Sequence, residues 1–211
     1  MTEQPRLYLE TPDTFDPASF SLTLAKVLSK VPVACLRLSL GLQADEAAWT
    51  QAANHLITVC HDYEVPVVIT DHFRMVEPLG LDGVHLAASK ASLRDVRSAL
   101  GSDRIVGAFA GTSRHHGMVL AEAGADYVAF GPVGATGALG DDGRASDDLF
   151  AWWAEVIETP SVAEGALSLA DAERLSTIAD FAVPDPRLWG RAEETIRVLS
   201  AFSAALPDLD D

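Results

Sequence analysis

Gly124-Ala125-Asp126-Tyr127-Val128-Ala129-Phe130-Gly131-Pro132-Val133 contains one turn of an α/β repeat in compressed form. Gly124 stands where the helical stretch 115–123 must end, and glycine enters the left-handed conformation of a helix terminus without steric cost. Tyr127 to Phe130 is then a short apolar and aromatic run of the kind that forms a buried strand. Gly131-Pro132 interrupts it, and the segment 131–145 that follows carries five glycines. A loop of that length and composition is read as functional.

The same alternation extends in both directions. Upstream, strands are predicted over 7–9, 33–38, 65–69, 83–86 and 105–109, with helices over 15–29, 45–63 and 92–100 between them. Asp45 is a plausible cap for the second helix, and Gly101 marks the end of the third. A further short helix opens at Phe73. Downstream, helices are predicted over 147–158, 168–177 and 188–202 and strands over 161–163 and 180–183. Eight strand–helix pairs predict an α/β fold in which parallel strands close into a (β/α)8 TIM barrel. A doubly wound open sheet is the alternative, but Glu10-Thr11-Pro12-Asp13 after the first strand lacks the glycines of a dinucleotide fingerprint.

Composition agrees with one folded unit. The 211 residues are 48% hydrophobic and 22% charged, enough for one large core, so residues 1–211 are expected to form a single barrel domain ending in an acidic tail, 207–211. Asp and Glu number 31 against 15 Lys and Arg, a formal charge of −16. Such a surface repels phosphate backbones and anionic headgroups, which argues against nucleic acid and membrane as partners. Met1-Thr2-Glu3-Gln4-Pro5 has neither the basic nor the apolar region of a leader, and no run approaches a membrane span, so a cytoplasmic protein is expected. Cys35 and Cys60 are too few for a disulfide framework and have no metal-type spacing.

In a parallel barrel the chemistry gathers at the carboxyl ends of the strands. Read there, Leu7-Tyr8-Leu9, Arg37, Thr70-Asp71, Asp82-Gly83-Val84-His85-Leu86 and the Gly124 to Val133 stretch together resemble the thiamine-phosphate synthase/TenI family, in order, over about 7–183. The resemblance implies a barrel that joins a pyrimidine pyrophosphate to a thiazole phosphate with Mg²⁺. TenI relatives lack that activity, and some tautomerise the thiazole phosphate.

Several positions depart from the pattern that the resemblance implies. After the second strand the family's Gln, Arg and Lys read Cys35, Arg37 and Ser39. Thr70-Asp71 keeps the first metal-binding acid, but where a second is expected the chain has Ala87-Ala88-Ser89-Lys90, and a lysine repels Mg²⁺. A serine position on the fifth strand is Phe109. The Thr-x-Thr-Lys segment after Gly131-Pro132-Val133 reads Thr136-Gly137-Ala138-Leu139, a paired glycine reads Glu164-Gly165, and the serine after strand eight is Asp185 between Pro184 and Pro186. Each carboxylate near a phosphate adds repulsion on the order of 1 to 4 kcal/mol at 4 Å, and each proline removes an N–H donor.

The candidate catalytic residues are therefore His85 and Arg37, the candidate ligand-binding residues Arg37, Thr136, Gly131 and Gly165, and the candidate metal ligand Asp71. Each has a second reading. Arg37 equally suits an internal ion pair with Glu10, Glu164 or Asp185. His85 suits a satisfied core histidine better than a proton-transfer role, and Asp71 equally suits a cap on the helix from Phe73. His72, His115 and His116 lie outside the pattern and read as surface or rim residues. The tandem Trp152-Trp153 packs between helices or at a homodimer contact. Three functions remain open: a divergent small-molecule barrel without efficient synthase activity, an active thiamine-phosphate synthase, and a non-enzymatic binding or regulatory barrel.

Overall fold

The structure, a computed structural model, describes residues 6–89, 91–133 and 143–206. Thr136, Lys90 and the acidic tail 207–211 lie outside the described residues. The apolar runs become eight strands: β1 (Tyr8–Glu10), β2 (Cys35–Leu38), β3 (Val67–Thr70), β4 (Gly83–Leu86), β5 (Ile105–Gly111), β6 (Tyr127–Phe130), β7 (Ser161–Leu167) and β8 (Phe181–Pro184). The helices are α1 (Pro17–Leu28), α2 (Glu46–Asp62), α3 (Val76–Leu79), α4 (Leu93–Leu100), α5 (Arg114–Glu122), α6 (Asp147–Val156), α7 (Leu169–Leu175) and α8 (Ala192–Ala205).

Local chemistry accounts for the helix starts. The side chains of Asp16, Asp45, Ser92, Ser113, Ser146 and Ser168 each accept from a backbone N–H in the first turn that has no helical partner. Most boundaries shift by a few residues from expectation, and three differences have a visible cause or consequence. Strand β7 runs on to Leu167, because the Glu164 carbonyl accepts from Val133 N–H at 2.9 Å and Leu167 still pairs with Pro184 beyond a register shift. Helix α8 starts later than expected, since Pro186–Leu188 form a 3-10 turn and Trp189 is extended. The short helix after β3 has no side-chain cap.

All pairings are parallel and in sequence order, β1 through β8. A Leu7–Ala182 bridge and the Ala182 N–H to Arg6 carbonyl bond (3.1 Å) join the first and last strands. The fold is a (β/α)8 TIM barrel, as the alternation predicts. At its amino-terminal rim Asp82, Asp126 and Asp180, each one residue before an even strand, accept from the N–H of Val67, Val106 and Ser161, each at 2.7 Å. These carboxylates stitch neighbouring strands together.

Two apolar layers result from the period-two alternation of each strand. Outward residues such as Leu36, Ile69, Val84 and Phe130 pack against the helices, where Trp153 is fully buried and lies 4.7 Å from Phe130. Gly117 permits this contact, since a Cβ there would sit 2.7 Å from both rings. Inward residues Tyr8, Val68, Tyr127, Ala129, Val162 and Val183 fill the barrel. The Tyr127 ring crosses so close to β5 that a Cβ on Gly107 would lie 1.9 Å from it. The cysteines are free, and Cys60 is fully buried, its thiol pushed up to about 12 by burial and by Asp82. Among the described residues no helix is long and apolar enough to cross a membrane.

Candidate functional site

The inward alternation that buries Tyr8 and Tyr127 carries polar side chains at the other end of the same strands. Glu10 follows Tyr8 on β1, Arg37 follows Cys35 on β2, Thr70 follows Val68 on β3, and Glu164 follows Val162 on β7. They meet at the carboxyl-terminal mouth, in a cavity of about 470 Å³ whose lining also includes Asp185 and Arg187.

Arg37 holds the centre of this mouth and is 5% exposed. Its Nη1 donates to Glu164 Oε2 and its Nη2 to Glu10 Oε2, both at 2.8 Å. Burial by itself lowers the guanidinium pKa, but Glu164, then Tyr8 and Glu10, override it and hold the group well above its usual value. The guanidinium carbon also lies 5.7 Å from the Tyr8 ring centroid. Of the three acids expected to compete for Arg37, two pair with it. The third, Asp185, instead forms an ion pair with the neighbouring Arg187, which lowers the Asp185 pKa.

His85 lies just below, with no exposed surface. Its Nδ1 is 3.0 Å from the Tyr127 hydroxyl, which is 2.6 Å from the Tyr8 hydroxyl. Burial, reinforced by Arg37, holds the imidazole well below its ordinary pKa, so the ring is neutral. Burial likewise raises both tyrosines, which remain phenols. The Nε2 of His85 has no hydrogen-bond partner among the described residues, and neither has Arg37 Nε or Thr70 Oγ1. Glu164 Oε2 is 3.9 Å from His85 Nε2, too far for a hydrogen bond.

The remaining expected site residues serve the backbone. Asp71 has φ 58°, and its carboxylate accepts from the N–H groups of Ala87, Ala88 and Ser89 at 2.8 to 3.2 Å, not from the helix that follows it. The reading of Asp71 as a cap on the Phe73 helix is therefore corrected: it anchors the loop after β4. A carboxylate so engaged does not fit a Mg²⁺ site. The described residues contain no group of three or more His, Cys, Asp or Glu side chains arranged for a metal. Gly131 and Gly165 provide a close approach between two strand ends: a Cβ would sit 2.4 Å from the Glu164 carbonyl oxygen and 2.5 Å from Pro132 Cα, respectively. His72 packs 4.4 Å from Trp49, and Trp152 lies under Arg114, 5.2 Å from its guanidinium carbon.

A sequence model described as thiamine monophosphate synthase matches residues 7–183. The chain belongs to the thiamine-phosphate synthase family. A thiamine-phosphate synthase of Rhodospirillum centenum is 35% identical over 202 residues, 95% of this chain and 97% of that one. One from Hyphomonas neptunium is 33% identical over 217 residues, covering 99% and 98%. Among solved structures, the thiamine phosphate pyrophosphorylase of Pyrococcus furiosus superposes with a TM-score of 0.79 at 18% identity, covering 96% of this chain and 98% of that one. That likeness speaks for the barrel alone.

Sequence reasoning did not single out Tyr8, Tyr127 or Arg187 in this family member. For Tyr127 a clue exists: Gly107 interrupts a strand, and a glycine inside a strand marks a close approach by another group. Nothing in the sequence pairs Arg187 with Asp185 apart from their spacing.

Proposed function

We propose that this chain is a one-domain, divergent member of its family that binds a small molecule at the barrel mouth and lacks efficient synthase activity. The observation that carries the reading is the pairing of Arg37 with both Glu10 and Glu164. Pyrophosphate displacement needs cationic groups aimed at the charge that develops on the leaving group. Here both terminal nitrogens of the buried cation are already bonded to carboxylates of the chain, two acids against one arginine among the described residues. Asp71, the acid that would hold Mg²⁺, is bonded to three amides. His85, Arg37, Gly131 and Gly165, with Thr136, remain the proposed site residues, and phosphorylated or heteroaromatic compounds are the ligand classes the family brings to this position.

A second reading, active thiamine-phosphate synthase, is favoured by the 35% identity to the R. centenum protein across nearly the full length of both chains. One assay separates the two. Purified chain is mixed with the pyrimidine pyrophosphate, the thiazole phosphate and Mg²⁺, beside the R. centenum protein, and thiamine phosphate is measured. The divergent reading expects turnover about a thousandfold lower, since loss of one transition-state donor alone costs about 10² to 10³. Turnover within about tenfold establishes the synthase. Rescue of a thiamine auxotroph lacking its own synthase gives the same answer in cells.

A further inference from the structure

We propose that Glu164 is an autoinhibitory side chain with two partners. Its carboxylate occupies the Nη1 edge of Arg37, and a phosphate-bearing ligand entering the mouth takes that edge and sends the carboxylate about 1 Å across to His85 Nε2. This deepens the reading of the mouth as a small-molecule site and rests on it.

The first support is that one oxygen faces both groups. Glu164 Oε2 accepts from Arg37 Nη1 at 2.8 Å and lies 3.9 Å from His85 Nε2. Buried side-chain nitrogens almost always have a partner, yet Nε2 of the wholly buried His85 has none among the described residues. The tautomer of the neutral ring decides what Nε2 offers. A lone pair there would face the negative oxygen and be repelled, whereas a proton there is attracted by it. The second arrangement needs only that Tyr8 donates to Tyr127 and Tyr127 to Nδ1, and both contacts, 2.6 and 3.0 Å, are in place. His85 therefore turns an N–H donor toward Glu164, and no charge has to be created inside the barrel. The imidazole never meets the ligand. It receives the carboxylate that the ligand displaces.

The second support is that the exchange moves one side chain and leaves its surroundings fixed. The Glu164 carbonyl accepts from Val133 N–H at 2.9 Å, so the backbone stays and the carboxylate swings by side-chain rotation. Arg37 also stays, because Glu10 keeps its Nη2 at 2.8 Å and the Glu10 carbonyl accepts from Trp189 Nε1 at 2.7 Å. A guanidinium edge released in this way offers the charge-assisted bonds that suit phosphate oxygens. It opens on the 470 Å³ cavity that Arg37, Glu164, Gly165 and Arg187 help to line, a volume fit for a small phosphorylated molecule. The Glu164 side chain keeps 14% of its surface open, so an anion can reach the contact it must break. Only an anion that competes with a carboxylate for Arg37 opens the site, which gives the mouth selectivity at the expense of affinity.

The test uses inorganic phosphate as the probe, at constant ionic strength and neutral pH. Binding to the full chain is followed by calorimetry and by the nitrogen NMR shifts of the His85 ring. In the wild-type chain excess phosphate should move the Nε2 signal in the direction of a stronger donor bond, with Nδ1 changing less. In Glu164→Ala the competitor is gone, so phosphate should bind about tenfold tighter and the Nε2 signal should no longer follow it. Glu164→Gln, which keeps the shape but not the charge, should fall between the two. His85→Phe removes the second partner, so it should weaken phosphate about threefold where Glu164 is present and do nothing in the Glu164→Ala background. A folded Glu164→Ala chain with unchanged phosphate affinity overturns the proposal. So does a wild-type Nε2 signal that stays in place at the highest phosphate added, and this readout decides the matter even if every variant fails to fold. A chain without synthase turnover whose His85 ignores phosphate sinks this inference alone. One that turns over while phosphate moves His85 through Glu164 sinks only the divergent reading.

Discussion

The two rims of this barrel are both acidic, and they use their acids in opposite ways. At the amino-terminal rim Asp82, Asp126 and Asp180 each accept from a strand N–H at 2.7 Å, so every one of these carboxylates closes a gap in the backbone network. At the carboxyl-terminal rim Glu10 and Glu164 converge on one guanidinium, while Arg37 Nε, Thr70 Oγ1 and His85 Nε2 have no partner among the described residues. The first arrangement ties strands together. The second keeps polar groups buried and unsatisfied, which costs stability and is retained where a site needs them. Asp71 stands between the two cases, a mouth residue that does the work of the opposite rim.

Removing Arg37 should break the contrast most severely. Arg37→Ala leaves two half-buried carboxylates facing each other, and urea denaturation is expected to show a loss of about 3 kcal/mol. Adding Glu164→Gln to it should restore part of that loss, as one of the two unpaired charges is gone. If Arg37→Ala is neutral, the ion triad contributes nothing and the mouth is no different from a solvated surface.

The amino-terminal rim is tested next. Asp180→Ala leaves the buried Ser161 N–H and hydroxyl without their acceptor, and unfolding free energy should fall by about 1 to 3 kcal/mol with ligand binding at the mouth unaffected. A change in binding as large as the change in stability would show that the two rims are not separate in function.

His85 makes the comparison depend on pH. Its folded pKa is depressed by burial and by Arg37, so the unfolded chain takes up the proton first. The contribution is fully present above the unfolded value of about 6.5 and is lost as pH falls below it, with a slope of at most about 1.4 kcal/mol per pH unit. Urea melts of wild type and His85→Gln between pH 7 and 5 should diverge in this window, the variant being the flatter. Parallel curves would mean that His85 is not buried neutral. The smallest effect is expected at Arg187, whose ion pair with Asp185 is exposed: Arg187→Ala should alter stability by less than about 0.5 kcal/mol.

Much of the fold was legible before any coordinates, because strands, caps and helix stops are local properties. Asp45, Gly101 and the run Tyr127 to Phe130 announce an element end or an element by themselves, and the parallel barrel follows from their order. The site was legible only as a roster. Arg37 was foreseen as a partner of Glu10, Glu164 or Asp185 because a cation at the end of an interior strand is costly unless it meets an anion. Glu164-Gly165 read as a loop, and it became part of β7 only because Val133 and Pro184 lie alongside it.

By itself the sequence determined the order of elements, the family, and which residue types reach the mouth, since each of these depends on neighbours a few positions apart. The tertiary structure decided which two acids meet Arg37, that Asp71 binds amides of the next loop, and that Tyr127 reaches across Gly107 to hold His85. Those outcomes join residues up to 127 positions apart. They depend on barrel closure and on sub-ångström differences in side-chain reach, and no local pattern of residues encodes either.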